Sequence, residues 1–101
     1  MKIITENELS DVLCENENFL LFFRTDWCTL CDTGADIFAE LEKKYQTLKI
    51  FVIDFDKSEN AANEYGVIGI PTVVTFKDGE MLECYPGMRT EEDYDIIMQN
   101  I

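Results

Sequence analysis

The 101-residue sequence contains no histidine, which excludes histidine-based acid–base catalysis and mixed cysteine–histidine zinc sites. Long apolar segments are also absent, since the longest apolar run, residues 19–23, is far shorter than the roughly 20 residues of a membrane-spanning helix. No extended apolar stretch follows Met1, so we expect no signal peptide. These absences predict a cytoplasmic protein with no membrane partner.

Basic residues are scarce. Eight Lys and Arg stand against 21 Asp and Glu, which gives a net charge of −13. Because nucleic-acid binding depends on neutralising phosphates with Lys and Arg, we expect no nucleic acid partner. Such a charge keeps a small protein soluble, and it also leaves a basic docking partner or substrate as an alternative interpretation.

Cysteine is too sparse for a disulfide-stabilised scaffold, since the chain has only four. Two of them, Cys28 and Cys31, form a C-x-x-C motif between an apolar run and a helical pattern. Such a motif at a strand-to-helix junction points to thiol–disulfide chemistry. Cys14 and Cys84 lie far from this pair in sequence, and we predict that both are free thiols.

Hydrophobic periodicity predicts one domain over residues 1–101. Predicted helices cover residues 6–14, about 28–47, 58–65 and 90–101, and predicted strands cover residues 19–24, 50–53, 72–76 and 81–85, with Ile3 and Ile4 as a candidate first strand. Asp78 and Gly79 predict a two-residue hairpin between the last two strands. Three helix starts carry predicted caps, which are Thr5 with Glu8, Ser58, and Thr90. The alternation of buried strands and helices indicates an α/β fold: a central mixed β-sheet of four or five strands, flanked by helices on both faces.

The two cysteines of the motif fall in the first turn of the second predicted helix. Residues three apart there lie on one face, about 5–6 Å apart at Cβ, which is close to disulfide geometry. We expect Cys28 to be the exposed attacking sulfur and Cys31 to be the more buried, resolving sulfur. The helix N-terminus favours a Cys28 thiolate, whereas Asp26 and Asp32 oppose it by comparable amounts, so the thiolate should be only modestly favoured. Half of a zinc site and a plain helix cap remain as alternatives.

Three ordered motifs resemble the thioredoxin family, and together they extend over nearly the whole chain. They are W-C-x-x-C at residues 27–31, Y-G-V-I-G-I-P-T at residues 65–72 and F-K-D-G-E at residues 76–80. The resemblance implies a thioredoxin fold and a cis peptide bond between Ile70 and Pro71, with Pro71 beside the cysteine pair. It also implies that Trp27 shields the site and that the Ile70 backbone pairs with an extended substrate segment.

The sequence departs from the family at the positions credited with proton transfer. Phe22 stands where thioredoxins usually carry a buried carboxylate, and Val52 stands where they carry a nearby lysine. Thr29 and Leu30 replace the usual Gly-Pro between the cysteines, which should shift the reduction potential of the pair. The absence of the carboxylate puts efficient turnover in question.

The motifs favour a thiol–disulfide oxidoreductase that reduces protein disulfides through a reversible Cys28–Cys31 couple. Such a protein needs disulfide-containing substrates and an external electron donor such as a thioredoxin-reductase-type enzyme. No flavin or nicotinamide motif such as G-x-G-x-x-G occurs, so we expect no cofactor. The alternative is a redox-inactive or weakly active binding module on the same fold, which Phe22 and Val52 motivate.

Overall fold

Five β-strands form a single mixed sheet in the computed structural model, which describes residues 1–101. The strands are β1 (Lys2–Ile4), β2 (Phe19–Arg24), β3 (Lys49–Asp54), β4 (Thr72–Lys77) and β5 (Glu80–Pro86); the helices are α1 (Leu9–Glu15), α2 (Thr29–Lys44), α3 (Glu59–Tyr65) and α4 (Glu91–Gln99). The spatial order is β1-β3-β2-β4-β5, with β1, β3 and β2 parallel and the β4–β5 hairpin antiparallel. This arrangement confirms the predicted mixed sheet and its short first strand. None of the helices is long and apolar enough to span a membrane.

Strand β2 lies in the middle of the sheet, and its first five residues are buried. Because successive side chains of a strand point to opposite faces, these residues supply both halves of the core. One face carries the α1/α3 cluster, which is Ile4, Leu9, Val12, Phe19, Leu21, Phe23, Phe51, Ile53, Ala61, Ala62, Val67, Val74 and Phe76. The other face carries the α2/α4 cluster, which is Leu20, Phe22, Cys28, Cys31, Phe38, Leu41, Ile50, Val52, Val73, Tyr94, Ile97 and Met98. The cysteine pair therefore belongs to the core beneath α2 and α4.

The start of the first helical segment differs in detail from the prediction of a continuous helix over residues 6–14. A 3₁₀ turn covers Glu6–Glu8, and α1 follows from Leu9. The Glu8 carboxylate accepts a hydrogen bond from the backbone N–H of Thr5 at 3.0 Å, so the predicted capping pair is present.

Helix α2 is shorter than predicted, because it ends at Lys44 and not near Thr47. The backbone of Tyr45 leaves the helical region, with φ −110° and ψ 67°. The Tyr45 hydroxyl donates a hydrogen bond to a side-chain oxygen of Asp95 in α4. This contact joins the end of α2 to α4, and the periodicity of the sequence does not mark it.

The cap of α3 was also predicted incorrectly. Ser58 precedes the helix as expected, but its side chain makes no capping hydrogen bond. The free N–H of Ala61 donates instead to the carboxylate of Glu6 at 2.5 Å. A residue 55 positions away in sequence therefore satisfies the helix start, which local pattern reasoning could not identify.

The predicted hairpin and final helix cap are confirmed. Asp78 and Gly79 both have positive φ, 56° and 79°, as a two-residue turn of this kind requires. The Thr90 hydroxyl accepts a hydrogen bond from the Asp93 N–H at 3.1 Å at the start of α4. These features depend on neighbouring residues only, which explains why the sequence was sufficient to locate them.

The polar contact between α2 and α4 predicts how stability falls in acid. Hydrogen bonds from Lys44, and then from Tyr45, hold the pKa of Asp95 below its ordinary value of 3.8. A carboxyl whose pKa is lower in the folded chain stabilises the fold above its unfolded pKa and loses that effect as pH falls through the folded pKa. We therefore expect the melting temperatures of wild type and Asp95→Asn to differ at pH 6, and the difference to shrink as the pH falls below 3.8. A pH-independent difference would contradict this explanation.

Candidate active site

A tight turn carries the chain from the end of β2 into α2. The backbone N–H of Cys28 donates to the Thr25 carbonyl at 3.4 Å, and Cys28 then serves as the N-cap of α2. Its Sγ accepts a hydrogen bond from the backbone N–H of Cys31 at 3.2 Å. Cys28 and Cys31 are joined in a disulfide, with their Cα atoms 5.2 Å apart. The predicted pairing in the first turn of the helix is confirmed.

The two sulfurs differ in their access to solvent. Cys31 is fully buried, whereas Cys28 is 8 % exposed. Cys28 is more exposed than Cys31, as predicted. However, Cys28 is itself mostly buried, whereas the prediction was an exposed sulfur. Cys28 is therefore the sulfur with solvent access, and the Cys31 N–H together with the N-terminus of α2 favours negative charge on it.

An ion pair that sequence reasoning missed lies beside the cysteines. Arg24, the last residue of β2, binds the Asp32 carboxylate in the first turn of α2 at 2.5 Å. Its position two residues after Phe22 places it on the same face of the sheet as the cysteine pair. The guanidinium offsets the opposing charge that Asp32 was expected to exert on a Cys28 thiolate. The alternation of side chains along β2, which puts Arg24 on the same face as Phe22, could have indicated from the sequence that Arg24 lies near the cysteines.

Removing this cation should make the Cys28 thiolate less favourable. An uncompensated Asp32 charge about 8 Å away costs about 0.5 kcal/mol in water, so we expect Arg24→Gln to slow alkylation of the reduced protein at pH 7 about twofold. Stopped-flow alkylation with iodoacetamide measures this rate. Lys77→Gln is a matched control, because Lys77 follows Phe76, which pairs with Phe19 at the opposite end of β2. Equal slowing in both variants would contradict the assignment.

Trp27 presents most of its side chain to solvent. The ring is 71 % exposed, and its Nε1 donates a hydrogen bond to the Asp56 carboxylate at 3.0 Å. This exposure leaves the ring available to a partner, and the shielding of the disulfide by Trp27 stays a prediction. Asp56 fixes the orientation of the ring, and sequence reasoning did not identify this partner. Thr29 and Leu30, between the cysteines, are also exposed.

The Ile70–Pro71 peptide bond is cis, as the resemblance implied. Ile70 is half-buried and packs against both clusters of the core, including the one that contains both cysteines. The Pro71 carbonyl accepts a hydrogen bond from the Gly87 N–H at 2.8 Å, which ties this loop to the segment before α4. The structure thus packs Ile70 against the cluster that contains the cysteine pair, and the position of Pro71 beside the two sulfurs stays a prediction.

The core behind the disulfide is apolar. Phe22 and Val52 are partners in the β2–β3 register, and both belong to the α2/α4 cluster with the cysteines. Phe22 packs on Phe38 with ring centroids 5.2 Å apart. A Cβ added at Gly34 would lie only 3.1 Å from the Phe22 ring, so the glycine of α2 makes room for it.

Apart from the two cysteines, Tyr94 is the only ionisable side chain in the α2/α4 cluster. Burial raises its pKa, so its hydroxyl stays protonated at neutral pH. That hydroxyl accepts a hydrogen bond from the Arg89 N–H at 3.2 Å and donates to the Gly87 carbonyl at 3.5 Å. The buried polar side chains of the chain are Thr25, Ser58, Thr72 and Thr75, so no carboxylate is buried in the core around Cys31.

The two remaining cysteines are free thiols, as predicted. Cys14 is exposed on α1, and Cys84 is half-buried on β5. Burial, and to a smaller extent the charge of Glu83, raises the pKa of the Cys84 thiol. No set of three or more Cys, Asp or Glu side chains is arranged to hold a metal ion, so the half zinc site lacks further ligands.

Comparison with known proteins agrees with this geometry. A family model described as Thioredoxin matches residues 1–100. The thioredoxin of Listeria monocytogenes serovar 1/2a is 32% identical over 96 residues, covering 90% of this chain and 93% of the relative. That of Bacillus subtilis is 38% identical over 71 residues, covering 69% of this chain and 68% of the relative. The crystal structure of Fasciola hepatica thioredoxin is 26% identical with a TM-score of 0.89, covering 99% of this chain and 98% of that one. Because the family match extends over residues 1–100 and the two cysteines of its C-x-x-C motif are paired, this chain belongs to the thioredoxin family of thiol–disulfide oxidoreductases.

Proposed function

We propose that Cys28 is the nucleophile and Cys31 the resolving thiol in the reduction of protein disulfides. The Cys28 thiolate attacks one sulfur of the substrate disulfide, and the bond that breaks releases a substrate thiolate, which takes a proton from water. Cys31 then loses its proton and attacks Cys28 Sγ in the mixed disulfide. The second substrate thiol leaves, and two electrons have passed from the cysteine pair to the substrate.

The different environments of the two sulfurs carry this assignment. Cys28 Sγ lies at the N-terminus of α2, accepts the Cys31 N–H and retains some solvent access, whereas Cys31 is fully buried. An incoming disulfide can reach only the first sulfur. The second sulfur can react once the first has formed a mixed disulfide, because the two are within bonding distance.

Substrate contacts are assigned to the residues around Cys28. Trp27 offers an exposed ring held by Asp56, and an extended substrate segment pairs with the backbone of Ile70 next to Pro71. Thr29 and Leu30 tune the reduction potential, since they lie between the two sulfurs and are exposed to the incoming partner.

A turnover cycle requires a reductant outside this chain, and we assign that role to a thioredoxin-reductase-type enzyme. A cytoplasmic location fits the two free thiols, because a reducing compartment preserves an exposed cysteine such as Cys14. We infer one domain over residues 1–101, since both clusters pack on one sheet. The net charge of −13 supports protein disulfides over nucleic acid and anionic membranes as partners.

An insulin-reduction assay tests the proposed function. We expect the wild type to precipitate reduced insulin in the presence of dithiothreitol, and Cys28→Ser to remain at the uncatalysed rate. The reduction potential of the pair, measured against glutathione buffers, should be reducing enough to donate electrons to substrate disulfides. Equal inactivity of wild type and Cys28→Ser with every donor tested would contradict the proposal.

A second candidate function is a binding module with little redox activity, and the apolar surroundings of Cys31 favour it. Phe22 and Val52 leave no protein group to accept the Cys31 proton within the α2/α4 cluster. Thiol titration of the reduced protein separates the two candidates. A Cys28 thiol that titrates near the ordinary value of about 8.5, in a pair that stays reduced under mild oxidant, would favour the binding module.

A further inference from the structure

A cleft lies at the carboxyl ends of the three parallel strands, β1, β3 and β2. Its volume is about 440 Å³, and its lining includes Ile4, Thr25, Asp26, Val52, Asp54 and Lys57. This volume is within the range of about 300–1,000 Å³ that is typical of ligand sites. The cysteines do not line the cleft, so it is separate from the disulfide. We infer that this cleft binds a lysine or arginine side chain of the protein substrate, an inference that rests on the proposed function.

A buried hydroxyl in the cleft points to a bound donor. Thr25 lines the cleft and is 2 % exposed, and its Oγ1 has no hydrogen-bond partner within the protein. A buried polar group without a partner costs about 1–3 kcal/mol. A rotamer change that turns Oγ1 toward the cleft would let the N–H donors of an ammonium or guanidinium group satisfy this oxygen.

The charges that face the cleft favour a cation. Its positive side chains are Arg24 from β2 and Lys57 from the turn after β3, and its negative side chains are Glu6 from the first 3₁₀ turn, Asp26 from the turn before α2 and Asp54 from β3. Arg24 is neutralised by Asp32, and Glu6 is hydrogen-bonded to the Ala61 N–H. Two carboxylates, Asp26 and Asp54, therefore remain against the single ammonium of Lys57.

The carboxylates leave oxygens free for an incoming group. Asp54 accepts one hydrogen bond from the Asp56 N–H at 2.9 Å, and an ionised carboxylate has further lone pairs. Ile4 and Val52 add apolar surface to the lining, against which the hydrocarbon stem of a long cationic side chain can pack. The net charge of −13 strengthens the attraction for a basic segment.

The position of the cleft links it to a substrate bound at Cys28. Thr25 is only one turn away, because its carbonyl accepts the Cys28 N–H at 3.4 Å. An extended segment rises about 3.3 Å per residue, so a basic side chain roughly two to four residues from the substrate cysteine reaches the cleft. The substrate class is therefore a protein disulfide with a basic residue close to the reacting cysteine.

Binding of unreactive peptides tests the inference without any redox step. The probes are three short peptides in which serine replaces the substrate cysteine. They carry Lys, Gln or Glu, respectively, three residues before and three residues after that serine. Titration into the isotope-labelled protein, followed by NMR, gives the dissociation constants. We expect the Lys peptide to bind about fivefold more tightly than the Gln peptide, as one partly screened ion pair allows. The amide signals of Thr25, Asp26 and Asp54 should shift on binding.

Two double variants with the same change in net charge distinguish binding in the cleft from the long-range electrostatic attraction of the whole protein. Asp26→Asn/Asp54→Asn should abolish the preference for Lys over Gln, and Thr25→Val should reduce it. Asp11→Asn/Asp36→Asn, which alters exposed residues of α1 and α2, should retain the preference. Equal affinity for the three peptides would overturn the inference, as would an equal loss of preference in both double variants.

Kinetics distinguish this inference from the proposed function. The matching cysteine peptides, as disulfides, should show the same ranking in kcat/KM. Reduction of a small aromatic disulfide, which has no basic side chain, should not be slower in Asp26→Asn/Asp54→Asn than in the wild type, because loss of the Asp26 charge favours the Cys28 thiolate. If the wild type did not reduce the small disulfide, that result would contradict the proposed function. The peptide titration would still decide whether the cleft binds a basic side chain.

Discussion

Replacing Cys31 by Ser is expected to stop turnover and to leave the substrate covalently attached through Cys28. The serine hydroxyl cannot attack the mixed disulfide, so the first exchange proceeds and the second does not. With an enzymatic electron donor in place of dithiothreitol, turnover should fall to the uncatalysed rate, because no thiol is then available to displace the substrate from Cys28. Non-reducing electrophoresis with mass spectrometry should show a complex that dithiothreitol releases.

The controls for this prediction use the other cysteines of the chain. Cys28→Ser should form no complex, because buried Cys31 is inaccessible to a substrate disulfide. Both variants are best made in a Cys14→Ser/Cys84→Ser background, which removes the two free thiols that could form adventitious links. Complex formation by Cys28→Ser at the same level would reverse the assignment of nucleophile and resolving thiol.

Placing a carboxylate at position 22 is expected to destabilise the fold strongly. Phe22 is fully buried between β2 and α2, and its truncation leaves a cavity as well as an unpaired charge. We expect Phe22→Asp to lower the free energy of unfolding by about 3–5 kcal/mol at pH 8. Denaturant titration of the oxidised protein measures this loss.

The pH dependence separates the cost of charge from the cost of lost packing. Burial raises the pKa of an introduced aspartate above its unfolded value of about 3.9. The variant should therefore be least destabilised below pH 4, where the carboxyl is protonated in both states, and should lose further stability as pH rises through the folded pKa. Phe22→Asn leaves a similar cavity with no titrating group, so its loss should not change with pH. Identical pH profiles for the two variants would contradict the charge explanation.

Features set by neighbouring residues were predictable from sequence. The buried run of β2, the Asp78–Gly79 turn and the Thr90 cap each depend on contacts within a few positions, and each lies where it was predicted. The C-x-x-C spacing likewise determined that Cys28 and Cys31 could pair, because a helical turn brings residues three apart together.

Features set by distant residues were not predictable in the same way. Glu6 caps α3, and Tyr45 joins the end of α2 to α4, through contacts with residues more than 45 positions away, so no local pattern encodes them. Arg24 pairs with Asp32 only because β2 and α2 meet at the disulfide. The cleft beside Thr25 likewise arises from three separate segments of the chain.

The sequence by itself determined the chemistry of this protein: two thiols at a helix start, an acidic surface, and phenylalanine in place of a family carboxylate. Each is a property of residue identity and short-range spacing. Only the tertiary structure decided how those thiols differ, with Cys31 sealed by the α2/α4 cluster and Cys28 left accessible. It also decided which charges face the site, as with Arg24 on Asp32. The physical reason is that burial and ion pairing depend on distances between segments, which exist only once the sheet and its helices have assembled.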